Sequence, residues 1–188
     1  NASTGTAGPK IILPTEAQWE HACRAGTTTA YWFGDDDTAL ANYEWCRIPN
    51  QKDGLPVDVG QLKPNPWGLY DMLGNVREWF ADAGGRYQAI PATDPLNTTN
   101  ALNARIRRGG SRVVTAWQCR STSRGEAPSR ESDGWVGFRL AMSIDTAKLK
   151  TAQTLPGEGD RALAEWLLTN RQNVNLMIGS TGARTFAD

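Results

Sequence analysis

The chain has 188 residues, enough to bury one substantial core, and its 20 basic and 20 acidic side chains cancel to a formal net charge of zero at pH 7. That balance gives no electrostatic reason to expect nucleic acid or an anionic membrane surface as a partner. No apolar run reaches the roughly 20 residues of a membrane span and no basic-then-apolar signal opens the sequence, so it reads as a soluble protein whose compartment leans to the cytoplasm.

In chain order, residues 1–9 are small, polar and rich in Gly and Pro, a composition that cannot offset ordering entropy by burial, and they read as a flexible tether. Thr15 and Gln18 stand at capping-box spacing after Pro14. Trp19, Ala22 and Cys23 share one helical face before Gly26 stops the run, which predicts a short helix over about 15–25. His21 is the single histidine; it reads as a helix-surface residue and cannot by itself build a histidine-based iron or zinc site. Residues 27–64 mix Thr, Gly, Asp and Pro with single aromatics (Tyr31, Trp32, Phe33, Tyr43, Trp45), the pattern of short strands and long loops around a Trp-rich core. Asp35, Asp36 and Asp37 read as a solvated acidic turn.

The densest stretch runs Asn65-Pro-Trp-Gly-Leu-Tyr-Asp-Met-Leu-Gly-Asn-Val-Arg-Glu-Trp79. Asp71 and Glu78 are hard oxygen ligands, and Gly74 lets the backbone turn so that main-chain carbonyls near Gly74 and Val76 converge on the same point, which is how a calcium site is built. A turn with an Asx-type cap followed by a buried Trp explains the same residues without metal. Beyond it, residues 83–104 form a long loop carrying Asn97-Thr-Thr99, a formal glycosylation triplet that matters only in a secreted protein. Residues 105–141 alternate basic, Gly and apolar positions as returning strands do, with Gly109 and Gly110 allowing close backbone approach. The tail, 142–188, has Leu163, Trp166, Leu167, Val174, Met177 and Ile178 at helical spacing up to Gly179, which predicts an amphipathic helix over about 161–178. The three cysteines, Cys23, Cys46 and Cys119, form no C-x-x-C pair and hence no zinc or redox motif.

The GLYDMLGNVREW segment resembles the signature of the formylglycine-generating enzyme family, the sulfatase-modifying-factor domain with a variant of the C-type lectin fold. Four further blocks agree in order: Leu13-Pro-Thr-Glu-Ala-Gln-Trp-Glu-His-Ala-Cys-Arg-Ala-Gly26, Arg108-Gly-Gly-Ser111, Cys119-Arg-Ser-Thr-Ser-Arg124 and Gly137-Phe-Arg-Leu-Ala141. The resemblance covers 13–141 and implies an α+β domain with sparse regular structure, of which residues 10–142 are the C-terminal part. The family domain carries a long segment before the LPTE block, so the resemblance implies a larger protein, or a partner chain or N-terminal fragment that supplies the rest. It implies calcium as the cofactor, at Asp71, Gly74, Val76 and Glu78. Asn42 and Asp53 are the candidates for a second calcium site, on an eroded pattern. It also implies that Cys23 and Cys119 are neighbours, as a disulfide or as thiols, with Cys46 left over.

Active members of the family carry a copper-binding cysteine pair just after the RGGS block. Here Val114 stands where the first of these cysteines is expected, the second has no counterpart, and Arg77 replaces the Trp that precedes the calcium Glu. A Val side chain has no thiolate, so copper is not expected at that position. The resemblance therefore leaves a non-catalytic module that binds a protein or other ligand through Ser111, Arg112, Thr115, Trp117, Arg130, Glu131 and Trp135, a set rich in the Arg and Trp of binding hot spots. The alternatives are a sulfatase-maturation oxidoreductase working by another route, or a variable ligand-binding protein of a diversity-generating retroelement.

Overall fold

The computed structural model describes residues 10–48, 54–87, 92–99, 103–131, 133–144 and the strand at 176–180. The first 9 residues, read as a tether, and positions 49–53, which include Asp53, lie outside the described residues.

The α-helix among the described residues, α1 (Glu16–Arg24), begins where the capping box places it: the Thr15 hydroxyl accepts from the Gln18 N–H while the Gln18 side chain accepts from the Thr15 N–H. It ends at Ala25, which turns left-handed and donates its N–H to the His21 carbonyl, with Gly26 following at φ 92°. Trp19, Ala22 and Cys23 point into the core, as the helical face requires.

Among the described residues seven short strands follow the chain: β1 (Lys10–Ile12), β2 (Arg77–Ala83), β3 (Ala104–Arg108), β4 (Arg124–Pro128), β5 (Val136–Gly137), β6 (Leu140–Ile144) and β7 (Leu176–Ser180). They form two sheets. One has the order β4-β3-β2-β5, antiparallel except for the parallel β2–β5 pair. The other has the order β1-β6-β7, with β1 antiparallel and β7 parallel to β6. Among the described residues of 27–64 there are a 3-10 turn at Asp37–Asn42 and two isolated bridges, so the loops expected there are present, and no strand is found among them. Aromatic contacts hold this region instead: Phe33 stacks on Tyr31 and Tyr43, and Trp32 meets Phe33 and Tyr43 edge-on.

The predicted helix at 161–178 is corrected at its end. Residues 161–175 lie outside the described residues, but Met177, Ile178 and Gly179 sit inside β7, where pairing with β6 overrides the helical spacing and the glycine read as a stop is one rung of a parallel ladder.

The inward face of β2 carries charges as well as Phe80, and each charge is answered. Asp82 accepts from the N–H of Glu16 in the first turn of α1, at 2.7 Å, and from the N–H of Asn97, so a carboxylate occupies the positive end of the helix. Glu78 is held by Arg139 in a two-pronged pair, Nε to Oε2 and Nη2 to Oε1, both at 2.6 Å, and takes a third hydrogen bond from Trp19 Nε1 at 2.8 Å. Arg139, fully buried between β5 and β6, also donates to the carbonyls of Tyr70 and Asp71. Burial opposes its charge, but the Glu78 carboxylate outweighs that and holds the guanidinium above its ordinary value. A second buried arginine, Arg108, ties α1 to β3 through Glu16, Glu20, the Ser121 carbonyl and the Tyr87 hydroxyl, with its guanidinium over the Trp19 ring.

Candidate functional site

The segment from Asn65 to Val76 is a tight irregular turn whose polar side chains bond the backbone of their neighbours. Asn65 caps the loop with itself and the helix, accepting from Trp67 and Leu69 and donating to the Ala22 and Cys23 carbonyls. Asp71 and Asn75 both sit at positive φ, 54° and 64°, a conformation these short polar side chains tolerate. Gly74 is required sterically: a Cβ there would lie 2.4 Å from the Trp45 carbonyl oxygen and 2.7 Å from its nitrogen. The close approach lets the Asn75 N–H donate to the Trp45 carbonyl at 2.7 Å.

Asp71, Gly74, Val76 and Glu78 line one cavity of about 250 Å³, closed on its other side by Pro56, Val57 and the β5 region around Gly137. The loop at 54–60 is pinned over it by the motif. Asn75 exchanges two hydrogen bonds with Val57, each 3.0 Å, and Asp71 Oδ2 accepts from the Gly60 N–H at 2.7 Å. Burial raises the Asp71 carboxyl above its ordinary value, the Glu78 charge adds to the rise, and the Gly60 N–H and Arg139 oppose it. Two acidic groups therefore share the cavity, with the counter-charge to Glu78 supplied by Arg139. Among the described residues no group of three His, Cys, Asp or Glu side chains converges on a point, so any cation here would draw on carbonyls as well as the two carboxylates.

The residues expected to bind a ligand are spread over two regions. Ser111 and Arg112 are buried, and Arg112 lies over the Trp45 ring with its guanidinium 4.9 Å from the ring centre. Thr115 opens a 3-10 turn (Ala116–Cys119), and Trp117, on that turn, is 62% exposed. Arg130, Glu131 and Trp135 lie beyond β4. Glu131 accepts from Arg107, Trp135 donates its N–H to Asp133, and the Trp135 carbonyl accepts from the Arg77 N–H. Neither of the two cavities described is lined by any of these seven residues. Val114 is 6% exposed and belongs to the hydrophobic core.

Cys23 and Cys119, expected as neighbours, both lie in the hydrophobic core, as does Cys46. Cys23, Cys46 and Cys119 are all buried, and none is in a disulfide. Cys23 faces the Ser121 hydroxyl at 3.8 Å, and the Cys119 thiol is near enough to act on Cys46. Burial pushes the Cys23 thiol well above its ordinary value. The Cys119 thiol, with burial, does the same to Cys46.

Sequence reasoning also missed Glu44. It is completely buried, accepts from Trp32 Nε1 at 3.1 Å, and has its carboxyl pushed up from 4.5 to about 8, chiefly by burial and further by the Asp71 charge. No local spacing marks it, since its neighbours in the chain are ordinary loop residues. Glu78 did carry a signal: it stands between aromatic and apolar residues at a buried position of β2, where a charge calls for an opposite one.

Helix, sheets and cavity together define a class: an α+β domain with little regular structure, in which a polar turn and a buried ion pair organise long loops in the manner of the lectin-like variant. The sulfatase-modifying factor enzyme 1-like domain matches residues 6–144, and the chain belongs to that family. The formylglycine-generating enzyme of Mycobacterium tuberculosis is 33% identical over 147 residues, covering 68% of this chain and 49% of that protein. The inactive C-alpha-formylglycine-generating enzyme 2 of Mus musculus is 33% identical over 151 residues, 72% of this chain and 44% of the relative. Among solved structures, Treponema denticola variable protein 1 superposes with a TM-score of 0.62 at 30% identity, covering 68% of this chain and 46% of its own. The chain thus spans about half the length of the curated relatives it matches.

Glu44 makes stability fall as pH rises. Its folded-state pKa lies above its ordinary one, so between 4.5 and about 8 the folded chain holds a proton that the unfolded chain releases. The contribution is fully present below 4.5 and is lost as pH climbs through about 8. Glu44→Gln, which cannot ionise, is expected to lose less stability than the unmutated chain between pH 4.5 and 8, measured by denaturant unfolding at each pH. Parallel curves would show that Glu44 is ionised in the folded chain.

Proposed function

We propose that this chain is a non-catalytic module of the formylglycine-generating-enzyme type that binds a protein or other ligand through the face built by residues 110–135. The observation that carries this reading is the state of its thiols. Oxidation of a substrate cysteine through copper needs accessible thiolates, whereas Cys23, Cys46 and Cys119 are at most 2% exposed, burial disfavours the thiolate of Cys23, and the Cys119 thiol together with burial disfavours that of Cys46. Val114 fills the expected cysteine position with core packing. On the proposed face Trp117 supplies an exposed aromatic anchor, and the Arg112 guanidinium packs on the Trp45 ring.

The partner in this reading includes the remainder of the domain, from the same protein or another chain. Ile11, Ile12 and Phe138 are exposed apolar residues, and Phe138 borders a cavity also lined by Leu13, Trp79 and Phe80, which supports a covered face there. The likeness to the Treponema variable protein supports a ligand-binding role of that kind as the second reading.

The direct test supplies copper(I) and a cysteine-containing peptide in oxygenated buffer and follows oxygen uptake and aldehyde formation. Neither is expected above the level of a metal-only control. Copper-dependent turnover would overturn the binding-module reading.

We further propose calcium at Asp71, Glu78 and the carbonyls of Gly74 and Val76. The residues fit a hard cation in donor type and share one cavity, and Glu78 keeps one oxygen lone pair beyond its three hydrogen bonds. When bound, the ion would neutralise Asp71 and hold the 54–60 loop on the motif. Arg139 already offsets Glu78, so the affinity expected is that of weak extracellular sites, on the order of 10⁻⁴–10⁻³ M. Millimolar calcium should raise the melting temperature saturably, and Asp71→Asn should abolish the rise while leaving the Glu78–Arg139 pair intact. If added calcium and chelator leave the melting temperature equal, the motif is a structural turn without metal.

A further inference from the structure

The side of the four-stranded sheet turned away from Phe80 and Ile106 is short of negative charge. Antiparallel partners share a face, and the register sets Trp79 opposite Arg107 and Ala83 opposite Arg105. With the alternation of β2 and β3, this face carries Arg77, Trp79, Arg105 and Arg107. Across β3 their partners on β4 are Gly125 and Ala127, so nothing bulky covers the arginine stems from that side. Arg107 is matched by Glu131 at 2.9 Å and by Asp133 at 3.9 Å. Neither Arg77 nor Arg105 makes an ion pair among the described residues. Arg105 gives one donor to the Ala81 carbonyl, at 2.6 Å. Burial and the neighbouring Arg107 hold Arg77 below its ordinary value, and Asp133 and Glu131 offset this only in part, as for a cation without close compensation.

A groove of about 550 Å³, within the range of ligand sites, opens beside these residues. Leu13, Trp79, Phe80 and Phe138 give it apolar walls, and Arg105 and Ser129 give it a polar end. Phe138 is 54% exposed, and Ile11 and Ile12, on the strand that leads into Leu13, are exposed as well. Apolar walls that end in a guanidinium without a counter-ion fit neither a purely hydrophobic partner nor a bare anion. The first would strip water from Arg105 and return nothing to it, and the second would leave the aromatics wet.

We propose that the segment covering this face is acidic as well as apolar: a polypeptide stretch that lays apolar side chains on Trp79 and Phe138 and presents a carboxylate to Arg105. Arg77 adds attraction from further along β2. The inference rests on the reading above that a polypeptide covers the face, and adds the chemistry by which that partner is chosen. A guanidinium receives a carboxylate through two parallel hydrogen bonds, which fixes where the acidic side chain must stand. Charge then selects the segment, and apolar contact supplies most of the buried area.

The test uses the full chain, isotope-labelled, with three capped probe peptides: Leu-Glu-Leu-Glu-Leu, its counterpart with Gln for Glu, and its counterpart with Lys. Binding is followed by NMR at the Trp79 indole N–H, assigned with Trp79→Phe. The Glu peptide should bind about five- to tenfold more tightly than the Gln peptide, the Lys peptide should bind most weakly, and added salt should narrow the gap. Arg105→Gln should bring the Glu peptide to the level of the Gln peptide, while Phe138→Ala should weaken both together. If Arg105→Gln does not fold, Arg105→Lys carries the test: it keeps the charge, loses the two-pronged contact and should reduce the preference without abolishing it. Equal affinity of the Glu and Gln peptides, a preference untouched by the Arg105 variants, or no shift of the Trp79 signal with millimolar peptide would overturn the proposal. So would dodecanoate shifting that signal where no peptide does, which would give the groove to a small amphiphile. The copper assay is independent of all these results, so a failure here is distinguishable from a failure of the non-catalytic reading.

Discussion

Glu78 and Arg139 form the contact on which the rest of the domain depends. The carboxylate belongs to β2 in one sheet, the guanidinium lies between β5 and β6 where the chain passes to the other sheet, and Trp19 brings α1 to the same carboxylate. Arg139 then reaches the carbonyls of Tyr70 and Asp71, so the polar turn is anchored by the same cation. Both side chains are almost fully buried. A buried pair of this kind adds little stability over an apolar pair, but once present it tolerates no missing partner, because the remaining charge has neither water nor a counter-ion. That asymmetry explains how one pair sets the positions of the helix, two sheets and the central loop.

The same logic recurs at the edges of this centre. Asp82 meets the start of α1, Arg108 gathers Glu16 and Glu20 from the helix, and Asn75 stitches the 54–60 loop to the turn. With so few strand residues, backbone groups in the long loops find their partners in side chains rather than in ladders. Gly74 and Gly110 mark the points where backbone and sulfur approach too closely for any side chain.

Much of this was legible in the sequence where the signal was local. The capping box gave the start of α1 because both of its hydrogen bonds lie within one turn, and the ordered motif blocks gave the family and the fold class. Signals that depend on distant partners were harder to read. Glu78 and Arg139 stand 61 residues apart in the chain, and nothing in their spacing says that they meet. Glu44 and Cys46 occupy unremarkable loop positions, and only the fold brings them to Asp71 and Cys119. Helical periodicity at 177–178 misled because a parallel ladder with β6 accepts the same apolar residues. The expected ligand face was named from a linear segment, yet Ser111 and Arg112 turn inward while Trp117 turns out.

The family scaffold is retained here around an interior of buried thiols, with Val114 packed in the core. Because the helix, β2 and the central turn all meet at this ion pair, a double-mutant cycle on Glu78 and Arg139 tests the account most directly. Glu78→Leu and Arg139→Leu should each cost about 3–5 kcal/mol in denaturant unfolding, while the double variant should be far less unstable than their sum, with a coupling of several kcal/mol. Additive losses, or single variants as stable as the unmutated chain, would contradict the claim that this pair holds the domain together.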